Sequence, residues 1–230
     1  SVAFDKDADR LVVGFYDQTQ DSGSKRKPGA VNLYTLTSNL ASATLVGTIG
    51  NGYSTKSKDV NLSSSIEAKD IYGEGVDLNE TGSRLVVSGM YADGNSNGKS
   101  NSGEVMLIKF TDDNFSGGSL YANIGAGYGS AGGNSLDIDA NLDDNDNFGR
   151  AVSLDSDGDR LAVATSEDDG NGGSNSNAGA VHLFTFDDTN FSNPTLKGTI
   201  GKGYSGTYSL DLSSLVDGDK VWRVALDGDA

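Results

Sequence analysis

The 230-residue chain contains no cysteine, 2 prolines and a single histidine. Without cysteine there is neither a disulfide framework nor a thiolate metal site. With His182 alone, paired imidazole ligation is excluded, and no phosphate-binding loop occurs. Lysine and arginine total only 17 against 33 aspartates and glutamates, a formal net charge of −16. That balance argues against nucleic acid and anionic lipid as partners, and suits divalent cations, a salty medium or simple solubility. No apolar run approaches the length of a membrane span, so no membrane insertion is expected. Long helical periods are also missing. What the chain has instead is glycine, 32 residues of it, with abundant Ser, Asn and Asp. Short strands joined by many turns follow from that composition.

Internal repetition organises the sequence. Val2, Val76, Val152 and Val224 open equivalent stretches about 75 residues apart. Three further landmarks recur in the same order. GAVNLYTL (29–36), GEVMLIKF (103–110) and GAVHLFTF (179–186) are one strand written three times. LVGTIGNGYS (45–54), LYANIGAGYG (120–129) and LKGTIGKGYS (196–205) are another. VNLSSSI (60–66), LDIDANL (136–142) and LDLSSLV (210–216) lead into the next copy. This divides the chain into repeats at 1–74, 75–150 and 151–223, with 224–230 beginning a fourth. In the third copy the strands are expected at 151–155, 160–165, 180–185 and 195–200. Within 180–185, Val181, Leu183 and Phe184 are expected on the apolar side, with His182 and Thr185 opposite, on the surface.

The fold class expected is therefore all-β: β-propeller-like tandem four-stranded antiparallel blades, three blades plus a C-terminal strand. The run FGRAVSLDSDGDRLAVA (148–164), a Gly/Asp/Asn loop and GAVHLFTF together resemble the FG-GAP repeats of integrin-type β-propellers and bacterial surface proteins. The resemblance covers three repeats and implies four-stranded blades, calcium in blade hairpins, and extracellular binding or adhesion. The first junction has Tyr72-Gly73 in place of Phe148-Gly149, and the last has Val221-Trp222. The Gly-Ala-Pro that should follow the second strand is replaced by Gly14-Phe15-Tyr16, Ser88-Gly89-Met90 and Ala164-Thr165-Ser166.

Two sets of residues are candidate metal ligands. Asp5, Asp7 and Asp9 (DKDAD) and Asp155, Asp157 and Asp159 (DSDGD) have the alternate spacing that opens a calcium loop. The loop is not completed, since Val13 and Val163 stand at the ninth position, and the second copy has Asn79, Thr81 and Ser83. A plain Asx-rich turn is the preferred reading. The second set is Asp168, Asp169 and Asn171, with Asn175, in a glycine-rich loop where carbonyls could converge. The acidic run 143–147 is read as a solvated turn. Arg10, Arg84 and Arg160 open the second strand of every complete copy, which suggests a guanidinium forked onto the adjoining blade. Tyr53, Tyr128 and Tyr204, in Gly-x-Gly-Tyr, are read as packed corner aromatics. The basic tripeptide 25–27 is a solvated loop able to dock on an acidic loop such as 167–169.

Three blades are too few for a ring, which typically takes about four to eight. The expected partners are therefore copies of the same chain or further repeats of the same parent chain, with glycan or a surface protein as ligand. The functional expectation is a non-enzymatic extracellular or cell-surface structural or adhesive repeat protein, a filament or surface-layer segment completed by a neighbouring chain. A calcium-assisted glycan- or protein-binding module is the alternative, and an acidic hydrolase ranks last. Calcium is the one cofactor considered.

Overall fold

The computed structural model describes residues 1–19, 27–129, 134–173, 177–214 and 220–227. The chain is all-β, built as three sheets of one topology. Sheet one comprises β1 (Val2–Phe4), β2 (Arg10–Phe15), β3 (Ala30–Leu36), β4 (Ala43–Gly50) and β5 (Val60–Asn61). Sheet two comprises β6 (Tyr72–Leu78), β7 (Arg84–Gly89), β8 (Glu104–Lys109), β9 (Ser119–Gly125) and β10 (Leu136–Asp137). Sheet three comprises β11 (Phe148–Leu154), β12 (Arg160–Thr165), β13 (Ala180–Thr185), β14 (Thr195–Gly201) and β15 (Leu210–Asp211). In each, four strands form an antiparallel meander, and a two-residue fifth strand pairs in parallel with the fourth. The four-stranded blade is thus present three times, with a small addition in the landmark that leads to the next copy. Among the described residues no helix is long and apolar enough to cross a membrane.

Blades stack face to face because a single sheet this small cannot bury its apolar side alone. The middle blade shows the period-2 consequence. Leu85, Val87, Met106 and Ile108 pack into one cluster with Val12, Val31 and Leu33 of the first blade. Their alternates Val86, Val105 and Leu107 pack into a second cluster with Phe148, Leu161 and Val163 of the third. Burial on both faces explains why GEVMLIKF reads as a nearly continuous apolar run.

The Phe-Gly position has a physical role at these seams. Tyr72 and Phe148 are buried between blades, and each forms an isolated parallel bridge to the preceding blade, at Gly29 and Gly103. A Cβ on Gly29 would lie 2.0 Å from the Tyr72 carbonyl oxygen, and one on Gly103 2.1 Å from that of Phe148. This is why the third strand is preceded by glycine in both of these copies.

Three expectations need correction. His182 is fully buried, on the same face as Phe184, while Val181 and Leu183 are only half-buried. Faces alternate, but Phe184, expected beside Leu183, shares the covered face with His182; that face is the one toward the second blade, and nothing in the described chain covers the other. Asp146, in the acidic run read as solvated, is 3% exposed. Finally, residues 220–227, which include the described part of the fourth copy, 224–227, form no strand, although Leu226 N–H donates to Ser153 Oγ at 3.0 Å. Lys25, Arg26, Asn175 and residues 228–230 lie outside the described residues.

Candidate functional site

The acidic hairpins come first. Asp155 is buried, and its Oδ1 accepts the backbone N–H groups of Gly158, Asp159 and Arg160 at 2.9, 2.9 and 3.0 Å. Asp5 Oδ1 likewise accepts Asp9 and Arg10 N–H, both at 3.1 Å. In the second copy Asn79 Oδ1 accepts Arg84 N–H at 2.9 Å, so an amide serves where the others have a carboxylate. The first acid of each hairpin is therefore committed to closing its own turn. Asp7 and Asp157 are exposed at the tips. Burial, then the neighbouring Asp155, pushes the Asp159 carboxyl above its ordinary range, and burial leads the same shift at Asp5. If Asp155 acts as a turn acceptor, Asp155→Asn should keep the melting temperature within about 2 °C of wild type, whereas Asp155→Ala should lower it by about 4 °C or more. A fall in the Asn variant that matches the Ala variant, read by thermal melting in calcium, would assign the carboxylate to a metal instead.

Two equivalent polar clefts lie where the linker entering a blade crosses the loop after that blade's second strand. The first, about 260 Å³, is lined by Glu67, Asp70, Asp93, Glu104, Asn123 and Tyr128. The second, about 310 Å³, is lined by Asp143, Asp146, Asp168, Asp169, Asn171 and Tyr204. Asp168, Asp169 and Asn171 thus do come together, but each has local work. Asp168 Oδ1 accepts Gly170 N–H at 2.8 Å, Asp169 Oδ1 accepts Asn177 N–H at 2.6 Å, and Asn171 Nδ2 donates to the Gly203 carbonyl at 3.2 Å. Among the described residues no three His, Asp or Glu side chains stand at metal-ligand spacing.

The Gly-x-Gly-Tyr tyrosines explain part of this acidity. Tyr204 donates its hydroxyl to the Asp168 carboxylate at 2.9 Å, Tyr128 donates to Glu104 Oε2, and Tyr53 accepts from Gln18 Nε2 at 2.9 Å. The partner comes from the loop after the second strand in blades one and three, but from the head of the third strand in blade two. Glu104 stands where Ala30 and Ala180 stand in the other copies. That acid at the head of a strand whose next four residues are apolar was the sequence signal for a buried carboxyl, and it is visible only on aligning the copies. Burial, with the charges of Asp70 and Glu67, pushes the Glu104 carboxyl well above its ordinary range. Its Oε1 and the Asn123 Oδ1 are buried without a hydrogen-bond partner. Burial also pushes the Tyr128 and Tyr204 hydroxyls up, so both remain donors at neutral pH. Next to the second cleft His182 Nε2 lies 3.6 Å from Asp168 Oδ2, and Nδ1 is 3.1 Å from Thr199 Oγ1. The acidic loop 167–169 is not free for a basic partner: Glu167 pairs with Lys220, and Asp168 is buried.

Asp146 gives the second cleft a pH dependence. Burial, reinforced by Asp168, Asp143 and Asp169, pushes its carboxyl up to about 7. The unfolded chain releases that proton near pH 4. Between about pH 4 and 7 the folded chain holds a proton that the unfolded chain has lost, so stability falls as pH rises through that window. Turn hydrogen bonds hold Asp112, Asp188 and Asp211 low, which removes stability only at pH values below about 4. Melting temperature should therefore drop from pH 5 to 7.5, with a ceiling of about 1.4 kcal/mol per pH unit. Asp146→Asn, which keeps the acceptor for Asp143 N–H at 2.6 Å, should lessen that slope; an unchanged slope would clear Asp146 of the effect.

The third repeated feature is the arginine. Arg10 Nε donates to the Asp113 carbonyl at 2.6 Å and its Nη2 to Asn114 Oδ1 at 2.7 Å. Arg84 repeats this one blade on, to the Thr189 carbonyl at 3.0 Å and to Asn190 Oδ1. The guanidinium is thus a clamp from each blade onto the third turn of the next.

No family model and no curated protein matches the chain. Among solved structures it is similar to a functionally unknown protein from Desulfotomaculum acetoxidans, with 9% identity and a TM-score of 0.42 over 88% of this chain and 42% of that one. It is also similar to the periplasmic gluconolactonase of Pseudomonas aeruginosa, with 13% identity and a TM-score of 0.39 over 80% of this chain and 38% of that one. The chain spans about two fifths of the length of each. Neither likeness carries chemistry to this protein.

Proposed function

We propose that the chain is a non-enzymatic structural and adhesive repeat module, exposed outside the cell or on its surface, that works through its blade faces and loops. The observation that carries this reading is how the recurring residues are used. The Phe-Gly or Tyr-Gly pair, the glycine before the third strand and the arginine clamp all join one blade to the next. The resemblance to FG-GAP repeats and the strong acidity point the same way. Protease shaving of intact source cells, followed by detection of the chain's peptides, tests the location; recovery only from the cytosol sinks the reading. Turnover of a chromogenic glycoside or lactone that disappears on changing one carboxylate would overturn the non-enzymatic part.

A second reading, calcium-assisted recognition of a glycan or protein, is favoured by one observation. Glu104 Oε1 and Asn123 Oδ1 are buried polar atoms of residues lining the first cleft, without a hydrogen-bond partner, which a cation or a hydroxylated ligand would satisfy. Under this reading, millimolar calcium raises the melting temperature of the chain but not that of Glu104→Gln. No shift in either protein retires it.

A further inference from the structure

The arginine clamp stops at the third blade. Arg160 occupies the position of Arg10 and Arg84, yet among the described residues its guanidinium reaches only its own hairpin, 3.8 Å from Asp159 and 4.0 Å from Asp155. Its side chain is 47% exposed, against 12% for Arg10.

The acceptor is a specific turn. Asp112 Oδ1 accepts the N–H groups of Asn114 and Ser116, both at 2.9 Å, and Asp188 Oδ1 accepts those of Asn190 and Ser192 at 2.7 and 3.2 Å. This folds the turn so that a carbonyl and the Asn Oδ1 meet the incoming guanidinium, while Phe115 and Phe191 bury themselves against Phe110 and Phe186 with ring centroids 5.0 Å apart. The first blade lacks the device. Its turn is 37–42 instead of 110–118 or 186–194, with Asn39 bonded to Thr37 and Ala41 and Leu40 left 58% exposed. A second copy stacking its first blade on the third would therefore offer Arg160 nothing to hold.

The chain itself already enters the next position. Leu154 N–H donates to Asp77 Oδ2 across the second seam at 2.7 Å, and Leu226 N–H donates to the equivalent Ser153 Oγ at 3.0 Å. Glu74 pairs with Arg150, and the Arg150 guanidinium in turn lies 4.7 Å from the Trp222 ring centroid. Leu226 thus meets the innermost strand of the third blade at the position where Leu154 meets that of the second.

We propose that the open face of the third blade, with Arg160 at its rim, docks a further blade of the same repeat, one that carries an Asp-x-Asn-Phe turn and lies alongside residues 220–227. The proposal rests on the structural reading above and narrows it: the blade taken up brings an Asp-x-Asn-Phe turn, which excludes the first blade of a second copy as its occupant. Val181 and Leu183, half-buried on that face, are the apolar surface such a blade covers, as the third blade covers Val105 and Leu107 of the second.

The test extends the chain in register, residues 1–227 followed by a second copy of 156–214, because Asp227 is the counterpart of Asp155. One melting transition is expected, about 4 °C or more above that of the three-blade chain. Arg160→Ala should lower it by about 3–6 °C, as Arg84→Ala is expected to do in the three-blade chain, and should leave the three-blade chain unchanged. Equal effects of Arg160→Ala in both lengths, or separate melting of the added blade, overturn the proposal. A second variant replaces 37–42 of the three-blade chain with the turn 111–118, creating a self-complementary acceptor. Sedimentation velocity should then show concentration-dependent oligomers that Arg160→Ala abolishes, and a variant that stays monomeric counts against the clamp. Unmodified chain that oligomerises through Arg160 would give the face to a second copy, which also overturns the proposal. These readouts are independent of cellular location and turnover, so the functional reading can fail without them and they without it.

Discussion

Phe148→Ala is expected to cost about 3–5 kcal/mol, the usual loss for a fully buried aromatic, and to lower the melting temperature by about 10 °C. Phe148 is completely buried at the head of β11, its ring centroid 6.0 Å from that of Phe184 and 5.6 Å from His182. It belongs to the cluster that joins the second and third blades, and it is also the residue bridged to Gly103. In a stacked array stability is approximately a sum of unit and neighbour-interface contributions. Weakening this seam should therefore do more than shift one transition. Denaturant unfolding is expected to become biphasic, with the third blade leaving first. A loss under about 1 kcal/mol in a single transition would mean the seam is not where the blades are coupled.

The other large effect is at Gly103. Its φ is +88°, and an added Cβ would stand 2.1 Å from the carbonyl oxygen and 2.6 Å from the nitrogen of Phe148. The left-handed backbone alone would cost a side chain about 1 kcal/mol. The clash is with main chain, which no rotamer can relieve, so β11 must move away and the bridge between blades must open. Gly103→Ala should lose more than about 3 kcal/mol, or fail to accumulate as folded protein. Gly129 is the control, because a Cβ there meets nothing within 4 Å. Gly129→Ala should stay within about 0.5 kcal/mol of wild type. If the two variants melt alike, close approach at the seam is not the reason for the glycine.

Both substitutions act on one contact, that between Phe148 of the Phe-Gly junction and Gly103 of the preceding blade. Its meaning is mechanical: an aromatic that plugs the seam, opposite a glycine that lets two backbones meet. Tyr72 does the same at the first seam, which is why an exact Phe is not required there. The missing Gly-Ala-Pro is less consequential for packing. Gly14 lies against the backbone of Gly73, while Ser88 lies against Gly149, so different small residues fill that place.

The candidate sites were only partly legible. DSDGD and DKDAD were correctly located as hairpin tips, since Asx turn chemistry is local and Asn79 can replace the acid without changing the turn. Asp168 and Asp169 were visible as a pair of acids, but not the company they keep. Asp146 and Tyr204 reach them from 22 residues before and 36 after Asp168, at positions that periodicity does not connect.

The division between what the sequence by itself determined and what required the tertiary structure follows from this. Repeat length, four antiparallel strands per copy, their order and the hairpin turns are properties of short segments, and alternation with turn chemistry states them directly. Which face of a strand is buried depends on what lies beside the blade. The same third-strand position holds Met106 against the first blade, His182 against the second and Asn32 at the outer end of the array. A period of two says that faces alternate, and it is silent on which of them has a neighbour. His182 was hidden for that reason, and Asp146 because it lies in the linker before β11, where no strand period applies. Arg160 reads in sequence like Arg10 and Arg84, and only the stacking order leaves it without a blade to hold.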